Sequence, residues 1–164
     1  RSTGRSAVNE SNKFRGSKMI ALIQRVTQAK VEVEGQIVGQ IGKGLLVLLG
    51  VEKEDDQAKA DKLAEKVLNY RIFSDENDKM NLSVKDINGE LLVVSNFTIY
   101  GNTKKGRRPS YTDSAPAEKA EKIYNQFVQK LEQTDVKFET GKFRQHMKII
   151  SENDGPVNLI IDSK

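Results

Sequence analysis

The sequence predicts a mixed α/β fold in which two helices cover a sheet of several strands. Three apolar runs of strand length precede the first of two segments with the 3.6-residue spacing of an amphipathic helix, and short apolar runs follow each helix. Because two helices are too few to cover so many strands, the pattern favours a layered fold in which one sheet face packs against another sheet or subunit. No internal repeat and no linker divides the chain.

The first 18 residues lack this pattern. They are rich in Ser, Arg, Asn and Gly, without apolar periodicity and without the continuous apolar stretch of a signal peptide. We interpret 1–18 as a segment appended to a single domain over 19–164, the alternative being a native flexible arm. The segment carries five basic residues and one acidic residue, which accounts for the whole net charge of +4. Any RNA contact must therefore come from a local patch rather than from overall charge.

Composition excludes several kinds of site. The chain contains no Cys, so disulfides, thiolate metal sites and a Cys nucleophile are excluded. No run approaches the roughly 18 apolar residues that span a membrane. We expect a soluble, cytoplasmic domain without a metal, another cofactor or a membrane partner.

Three strands are predicted before the first helix. The run Met19–Val26 has little polar alternation, which indicates burial on both faces. The run Val31–Val38 alternates Val with Glu before a turn at Gly35, and Leu45–Val51 is apolar throughout. The first third of the domain is therefore expected to be mainly sheet.

The two helices are predicted from the spacing of their apolar residues. The first spans Glu54–Asn69, and either Asp55 or Asp56 is a candidate N-cap. The second spans Ala117–Gln133, behind a Pro at a position where helices often begin. The apolar faces consist of Ala58, Leu63, Ala64, Val67 and Leu68 in the first helix, and of Ala120, Ile123, Tyr124, Phe127, Val128 and Leu131 in the second.

The remaining apolar runs predict further strands. A polar loop at 74–79 and the turn signal Asn88-Gly89 separate those between the helices. The strands are predicted at Arg71–Phe73, Met80–Val84 and Glu90–Tyr100 between the helices, and at Val136–Glu139, Met147–Ser151 and Val157–Asp162 after the second helix.

One candidate site follows the apolar run Leu91–Val94. This run ends in Ser95, Asn96, Phe97 and Thr98, which brings hydroxyl, amide and aromatic groups to one strand end. A hydroxyl nucleophile needs an activating base nearby, and none is evident in this segment. The alternative is an ordinary polar loop, since strand ends and turns favour such residues.

Conventional catalytic and metal-binding groups are scarce. His146 is the single His, so a Ser-His-Asp triad would depend on it, and no Gly-x-Ser-x-Gly motif is present. Without a His pair or a Cys, a transition-metal site is not expected. The acidic residues Asp75, Glu76 and Asp78 lack the full spacing of a calcium loop and are expected to be solvated.

A Gly-Pro dipeptide marks a second candidate site, within Asn153–Val157. Gly155-Pro156 stands between two apolar runs. A peptide bond before Pro is one of the few that adopts the cis form at modest cost, and such a turn would direct main-chain groups outward in a fixed geometry. The alternative is an ordinary turn before the last strand.

A basic loop follows the first candidate site. Lys104, Lys105, Arg107 and Arg108 cluster there, around a Gly that lets the backbone approach a ligand closely. Most charge runs are solvated surface. Lys and Arg also give sequence-independent affinity for phosphates, so an RNA-binding loop is the functional alternative.

These motifs occur together in one known family. Ser95–Thr98 and Asn153–Val157 resemble the Ser-Gln-Phe-Thr and Asn-x-Gly-Pro-Val-Thr motifs of the D-aminoacyl-tRNA deacylases. Other similar stretches follow in family order and cover nearly all of 19–164, so the chain is identified as a member of that family. They are Met19–Val26, Gly44–Val51, Asn69–Phe73, Lys79–Asn81, Val93–Thr98, Gly106–Pro109, Thr140–Phe143 and Met147.

The resemblance implies a three-layer α/β/β sandwich and a homodimer with sheets contributed by both subunits. It implies hydrolysis of the ester of D-aminoacyl-tRNA, and of glycyl-tRNA mischarged on the alanine tRNA, in chiral proofreading of translation. Aminoacylated tRNA, and not DNA, would be the partner. The turn at Gly155 and Pro156 would be cis and enter the active site of the other subunit, where its main-chain atoms exclude an L side chain. Arg25 would hold this turn, Asn153 would belong to the same chiral filter, and Met147 would line the pocket.

The resemblance also implies how the ester is attacked. Ser95, Asn96, Phe97 and Thr98 would form the adenosine and carbonyl side of the site. Thr98 resembles a residue considered as a nucleophile, but without a base to activate it, assistance by the 2′-hydroxyl of the terminal adenosine fits better. Main-chain N–H groups near Phe97 and Thr98 would stabilise the developing oxyanion.

Three residues depart from the family pattern. Asn96 replaces the usual Gln, Asn158 replaces the usual Thr, and Arg144 stands where a small residue is common. An inward-pointing Arg144 would block or recharge the pocket. Two alternatives stay open, a catalytically impaired tRNA-binding dimer and an esterase acting on small molecules.

Overall fold

The computed structural model describes residues 18–164, so the predicted prefix at 1–18 lies outside the described residues except for Lys18. Within this range neither α-helix is long and apolar enough to cross a membrane. The elements are, in chain order, β1 (Ile20–Val33), β2 (Gln36–Ile41), β3 (Gly44–Gly50), α1 (Gln57–Asn69), β4 (Phe73–Ser74), β5 (Met80–Leu82), β6 (Glu90–Ser95), a 3₁₀ turn (Phe97–Tyr100), α2 (Ala117–Glu132), β7 (Lys137–Thr140) and β8 (Lys148–Asp162).

The main sheet has the strand order β2-β1-β3-β6-β7. β2 and β3 pair with different halves of one edge of β1, and β8 pairs with the opposite edge. β1 is antiparallel to β3 along its first half, to β2 along its second half and to β8 along most of its length. β3, β6 and β7 are parallel. β2 curls over β7, since a Cβ atom at Gly39 would lie 2.7 Å from the carbonyl oxygen of Thr140. The sheet is therefore a nearly closed barrel, and the mixed α/β class predicted from the sequence is confirmed.

The sheet has a buried core on each face. In β3, Leu45, Val47 and Leu49 pack in the cluster beneath the two helices. Leu46 packs in a second cluster, inside the curled sheet. Side chains alternate across a strand, so a strand buried on both faces has to be apolar throughout, as this one is.

The predicted bounds of two pairs of strands are wrong. Met19–Val26 and Val31–Val38 are replaced by one long β1 followed by β2. β1 does not break after its first half, because residues 28–30 continue its pairing with β8. The strands predicted at Met147–Ser151 and Val157–Asp162 are likewise parts of the single strand β8.

The helices lie close to their predicted positions. Asp56 Oδ1 accepts a hydrogen bond from the Lys59 N–H at 2.9 Å, so Asp56 is the N-cap and α1 begins at Gln57 rather than at Glu54. Ala58 is exposed, and the predicted face is wrong at this position. The buried residues are Ala60, Leu63, Ala64, Val67 and Leu68 in α1, and Ile123, Tyr124, Phe127 and Leu131 in α2.

Candidate active site

A cavity of about 670 Å³ lies at the carboxyl end of β6. It is bordered by the 3₁₀ turn, by the start of α2 and by the segment between β7 and β8. A concave and largely apolar space with a few polar groups is the usual form of a ligand site. The predicted residues Ser95, Asn96, Phe97, Thr98 and Met147 all line this cavity, together with apolar residues such as Val51, Val94, Ala115 and Ala120.

Asn96 follows the last residue of β6 and caps the 3₁₀ turn. Its main-chain N–H donates a hydrogen bond to the carbonyl oxygen of Leu49 at 2.8 Å. Its side-chain Oδ1 accepts hydrogen bonds from the main-chain N–H of Thr98, at 3.2 Å, and from the Thr98 hydroxyl. This cap draws the backbone out of the extended conformation. The prediction that the strand continues to Tyr100 is therefore wrong beyond Ser95.

The hydroxyl of Thr98 donates to a group that is not a base. A carboxamide oxygen accepts a hydrogen bond but does not remove the proton, so Asn96 orients the hydroxyl without activating it. His146 also lines the cavity, yet within residues 18–164 it forms no hydrogen bond with Thr98 or Ser95. The geometry gives no support to a His-based triad.

Phe97 presents an exposed ring at the cavity. The residue is 59% exposed, and its ring meets Tyr111 edge to face, with centroids 5.1 Å apart. The Ser114 hydroxyl donates a hydrogen bond to the Phe97 carbonyl oxygen at 3.2 Å. An exposed aromatic face suits the stacking of a nucleobase. Tyr111 and Ser114 are not predicted from the sequence as site residues. The feature that could have indicated Tyr111 is its aromatic side chain in an otherwise basic and polar loop, and Ser114 has no comparable feature.

The segment between β7 and β8 brings positive charge to the cavity. Arg144 lines the cavity, is exposed, and has a φ of +64°. Arg144 therefore adds a positive charge at the border of the cavity and does not fill its interior. Of the described residues that line the cavity, none is Asp or Glu. In the described part of the chain, no group of three or more His, Asp or Glu side chains is placed to hold a metal ion.

The Gly-Pro segment projects from β8 as a bulge opposite Arg25. Gln24 pairs with Asn158 and Val26 pairs with Asn153, so one residue of β1 faces four residues of β8. Those four residues leave the hydrogen-bonded ladder as an enlarged β-bulge. They are Asp154, Gly155, Pro156 and Val157; the Gly155-Pro156 bond is cis, and both of its residues are exposed.

Arg25 and Asn153 close the base of this bulge. Arg25 Nε donates to the carbonyl oxygen of Asp154 at 3.2 Å and lies 3.4 Å from its carboxylate, while Nη1 donates to the carbonyl oxygen of Ile72 at 2.8 Å. Asn153 Nδ2 donates to the carbonyl oxygens of Arg25 and Val157, at 3.0 and 3.2 Å. The Arg25 side chain is only 11% exposed, so its charge-assisted bonds are shielded from water.

Only Gly fits at position 155. Its φ of +129° lies in a region that side-chain-bearing residues rarely adopt. An added Cβ atom would also lie 2.7 Å from Val157 Cγ2 and 2.9 Å from the Val157 main-chain nitrogen. Backbone conformation and available space therefore both require Gly.

Within one chain, the bulge and the cavity are separate. Ser95 pairs with Leu49, and Leu49 pairs with Ala21, whereas Arg25 lies four residues further along β1. Four residues of extended chain span about 13 Å. The structure thus brings Ser95–Thr98 and Met147 together, but it does not bring them together with the predicted filter residues Arg25, Asn153, Gly155 and Pro156.

The basic loop lies beyond the 3₁₀ turn. Reciprocal main-chain hydrogen bonds of 2.7 and 2.9 Å between Asn102 and Ser110 close its base. Its four cationic side chains are exposed, and none forms an ion pair with another described residue; they are those of Lys104, Lys105, Arg107 and Arg108.

Two buried carboxylic acids lie between β3 and α1. Glu52 and Asp55 are 4% and 2% exposed, and Asp55 Oδ2 accepts a hydrogen bond from the Glu52 N–H at 2.6 Å. Burial, and then the nearby charge of Asp55, raise the pKa of Glu52. Burial also raises the pKa of Asp55 and that of Tyr100 at the end of the 3₁₀ turn. Each of these two carboxylic acids therefore binds its proton more readily in the folded chain than in the unfolded chain.

Similarity to known proteins extends over nearly all of the described chain. The model of a family described as D-Tyr-tRNA(Tyr) deacylase matches residues 22–162. A D-aminoacyl-tRNA deacylase of Thermosipho africanus is 59% identical over 146 residues, which cover 89% of this chain and 98% of that protein. Another, from Mannheimia succiniciproducens, is 64% identical over 141 residues, covering 86% of this chain and 97% of its own.

Solved structures share the fold, among them the following two. One, described as c-Myc DNA Unwinding Element Binding Protein, has a TM-score of 0.82 and 39% identity, and the match covers 87% of this chain and 97% of that one. The other, described as a probable eukaryotic D-amino acid tRNA deacylase, has a TM-score of 0.77 and covers 88% of this chain and 99% of its own. At 14% identity, this second match shows similarity of fold alone.

Proposed function

This chain belongs to the D-aminoacyl-tRNA deacylase family, and we propose that it hydrolyses the ester between a D-amino acid and tRNA. The products are the free D-amino acid and free tRNA, as required for chiral proofreading of translation. The observation that carries the proposal is the cavity at the end of β6, where polar strand-end groups and the exposed ring of Phe97 stand together in a chain that the family model matches over residues 22–162.

The ester is hydrolysed without a protein nucleophile. Water attacks the ester carbonyl carbon, a tetrahedral oxyanion forms, and the ribose oxygen leaves with a proton. The 2′-hydroxyl of the terminal adenosine assists this step, since the Thr98 hydroxyl is held by the Asn96 amide and has no base beside it. Within the described chain the Phe97 N–H donates to no acceptor, and it is the candidate donor to the oxyanion. The Thr98 N–H is already engaged by Asn96.

The Gly-Pro bulge screens chirality in the cavity of a second copy. Gly155 and Pro156 are exposed on a clamped bulge, but they do not line the cavity of their own chain. A homodimer resolves this separation, because each bulge then enters the cavity of the other subunit. Its rigid main chain leaves room for a D side chain and none for an L side chain. In this arrangement both subunits contribute sheets to a three-layer α/β/β assembly.

The exposed basic loop contacts the phosphates of the tRNA. Lys104, Lys105, Arg107 and Arg108 lack ion-pair partners in the described chain, so phosphate groups can neutralise them.

Aminoacylated tRNA as substrate also fits an enzyme of the cytoplasm, where translation is edited. The deacylase domain comprises residues 19–164, and glycyl-tRNA, which has no side chain to exclude, is a second substrate.

Turnover separates this proposal from its two alternatives. The protein is mixed in catalytic amount with D-tyrosyl-tRNA, and released tyrosine is measured over time. Release of many equivalents supports the deacylase, whereas protection of the ester contradicts it and favours a tRNA-binding dimer. Equal hydrolysis of a simple tyrosine ester that contains no nucleoside would instead favour a small-molecule esterase.

A further inference from the structure

The cavity at the end of β6 carries a positive charge that the proposed hydrolytic step does not use. Among residues 18–164, sixteen line it and none of these is Asp or Glu, while Arg144 supplies a positive charge. An aminoacyl ester carries a cationic ammonium group and no anionic group of its own. The Phe97 N–H is already the candidate donor to the oxyanion of the reaction, and the anion present before the ester is attacked is the phosphate next to the terminal ribose.

Arg144 is available to a ligand. It is exposed, and it forms no ion pair or hydrogen bond with another described residue. Its φ of +64° lies in the left-handed region that favours Gly, so this backbone conformation places a long cationic side chain where a small residue would be less strained. His146, two residues further along, also lines the cavity and is exposed.

The same cavity offers a stacking surface for a base. The exposed ring of Phe97 forms a T-shaped pair with the ring of Tyr111 and borders the cavity. An aromatic face and a guanidinium on one cavity match the two chemical features of a nucleotide, a planar base and an anionic phosphate. Arg is suited to the phosphate, because its planar group can donate two parallel hydrogen bonds.

We propose that Arg144 binds the phosphate on the 5′ side of the terminal adenosine, so that the cavity recognises a nucleotide rather than a nucleoside. This inference rests on the proposed function, since it assigns the substrate's terminal nucleotide to the same cavity. Arg144 is a specificity-determining residue in this account. It acts in binding and takes no part in breaking the ester.

Binding of two ligands tests the proposal without any catalysis. The affinities of adenosine 5′-monophosphate and adenosine are measured by isothermal titration calorimetry for the full chain and for two variants, Arg144→Ala and Lys142→Ala. Lys142 is a matched control, because it is an exposed cation in the same segment that does not line the cavity. We expect the full chain and Lys142→Ala to bind the monophosphate about tenfold more tightly than adenosine, the range of a charge-assisted contact. Arg144→Ala should bind both equally.

Several results would overturn the proposal. The unaltered chain could bind both ligands with equal affinity, or it could bind neither. A preference for the monophosphate that survives in Arg144→Ala would also contradict the role of Arg144. Inorganic phosphate serves as a competitor: displacement of the monophosphate by phosphate at similar concentration would mean a general anion site, and it too would contradict nucleotide recognition. Failure of the deacylase function would show separately, as absence of tyrosine release from D-tyrosyl-tRNA.

Discussion

Arg25 on β1 donates a hydrogen bond from Nε to the main-chain carbonyl oxygen of Asp154, at 3.2 Å, across a bulge of four residues in β8. The two residues are 129 positions apart in the chain. This contact fixes the base of the Gly-Pro bulge to the long strand of the barrel. The proposed chiral filter is therefore held from the side by one largely buried guanidinium.

Replacement of Arg25 should loosen the bulge and impair editing. Arg25→Gln removes the charge-assisted bonds to the carbonyl oxygens of Asp154 and Ile72. Such bonds contribute about 1.5–3 kcal/mol each, so we expect kcat/KM for D-tyrosyl-tRNA to fall at least tenfold. The surface ion pair of Lys30 with Glu32 on the same strand provides a control, and Lys30→Gln should change the rate less than about twofold. An Arg25→Gln variant with full activity would mean that these hydrogen bonds from Arg25 have no role in editing.

Replacement of Gly155 by Ala should lower the free energy of unfolding and should also change the discrimination between D and L substrates. The added Cβ would lie 2.9 Å from the Val157 nitrogen, whereas at Gly35, where φ is +77°, a Cβ meets nothing within 4 Å. Both substitutions strain a positive φ, so each should lower the free energy of unfolding by about 1 kcal/mol or more, as urea titration can measure. Only Gly155→Ala should also change the ratio of D to L hydrolysis. Equal effects of both variants on that ratio would contradict a local role of the bulge.

Loss of the Thr98 hydroxyl should be tolerated. The hydroxyl is held by Asn96 and lacks an activating base, so Thr98→Ala should retain single-turnover hydrolysis within about tenfold, since only one hydrogen bond is lost. In the same assay, D-tyrosyl-tRNA that ends in 2′-deoxyadenosine should react at least about a hundredfold more slowly, because the assisting group is missing. Inactive Thr98→Ala with intact tRNA binding would restore Thr98 as the nucleophile.

The basic loop should set the salt dependence of tRNA binding. The double substitution Lys104→Ala and Lys105→Ala removes two exposed cations without ion-pair partners in the described chain. The slope of log K against log salt should decrease by about 1.4–1.8, the value for two phosphate contacts. Lys62→Ala with Lys122→Ala, two exposed cations on the helices, is the matched control and should leave the slope unchanged. An unchanged slope for the loop variant would place the tRNA elsewhere.

The buried acid Glu52 should make the fold less stable as pH rises. Its pKa is raised in the folded chain above its ordinary value of about 4.5, so its protonated form favours folding. This contribution is fully present below pH 4.5 and is lost as pH rises through the raised value. Urea unfolding of Glu52→Gln should therefore show a weaker decline of stability towards neutral pH. Glu54→Gln, at an exposed neighbour, should retain the decline of the original chain. Parallel curves for both variants would contradict the assignment to Glu52.

Local patterns in the sequence predict much of this fold and only part of the site. The helices and β3 follow from apolar spacing, because their burial depends on residues close in sequence. The approach of Ser95–Thr98 to Met147 follows only from the resemblance. The clamp between Arg25 and Asp154 depends on a register between strands at opposite ends of the chain, which no local pattern specifies. The capping by Asn96 is visible only when its side chain is seen to turn back onto Thr98.

Comparison of D- and L-tyrosyl-tRNA tests the central claim most directly. The same tRNA is charged with each enantiomer, and initial rates of tyrosine release are measured with catalytic amounts of protein. The account predicts multiple turnovers with the D ester and no release above the spontaneous rate with the L ester. Release from both at similar rates would contradict the chiral filter, and release from neither would contradict the deacylase itself.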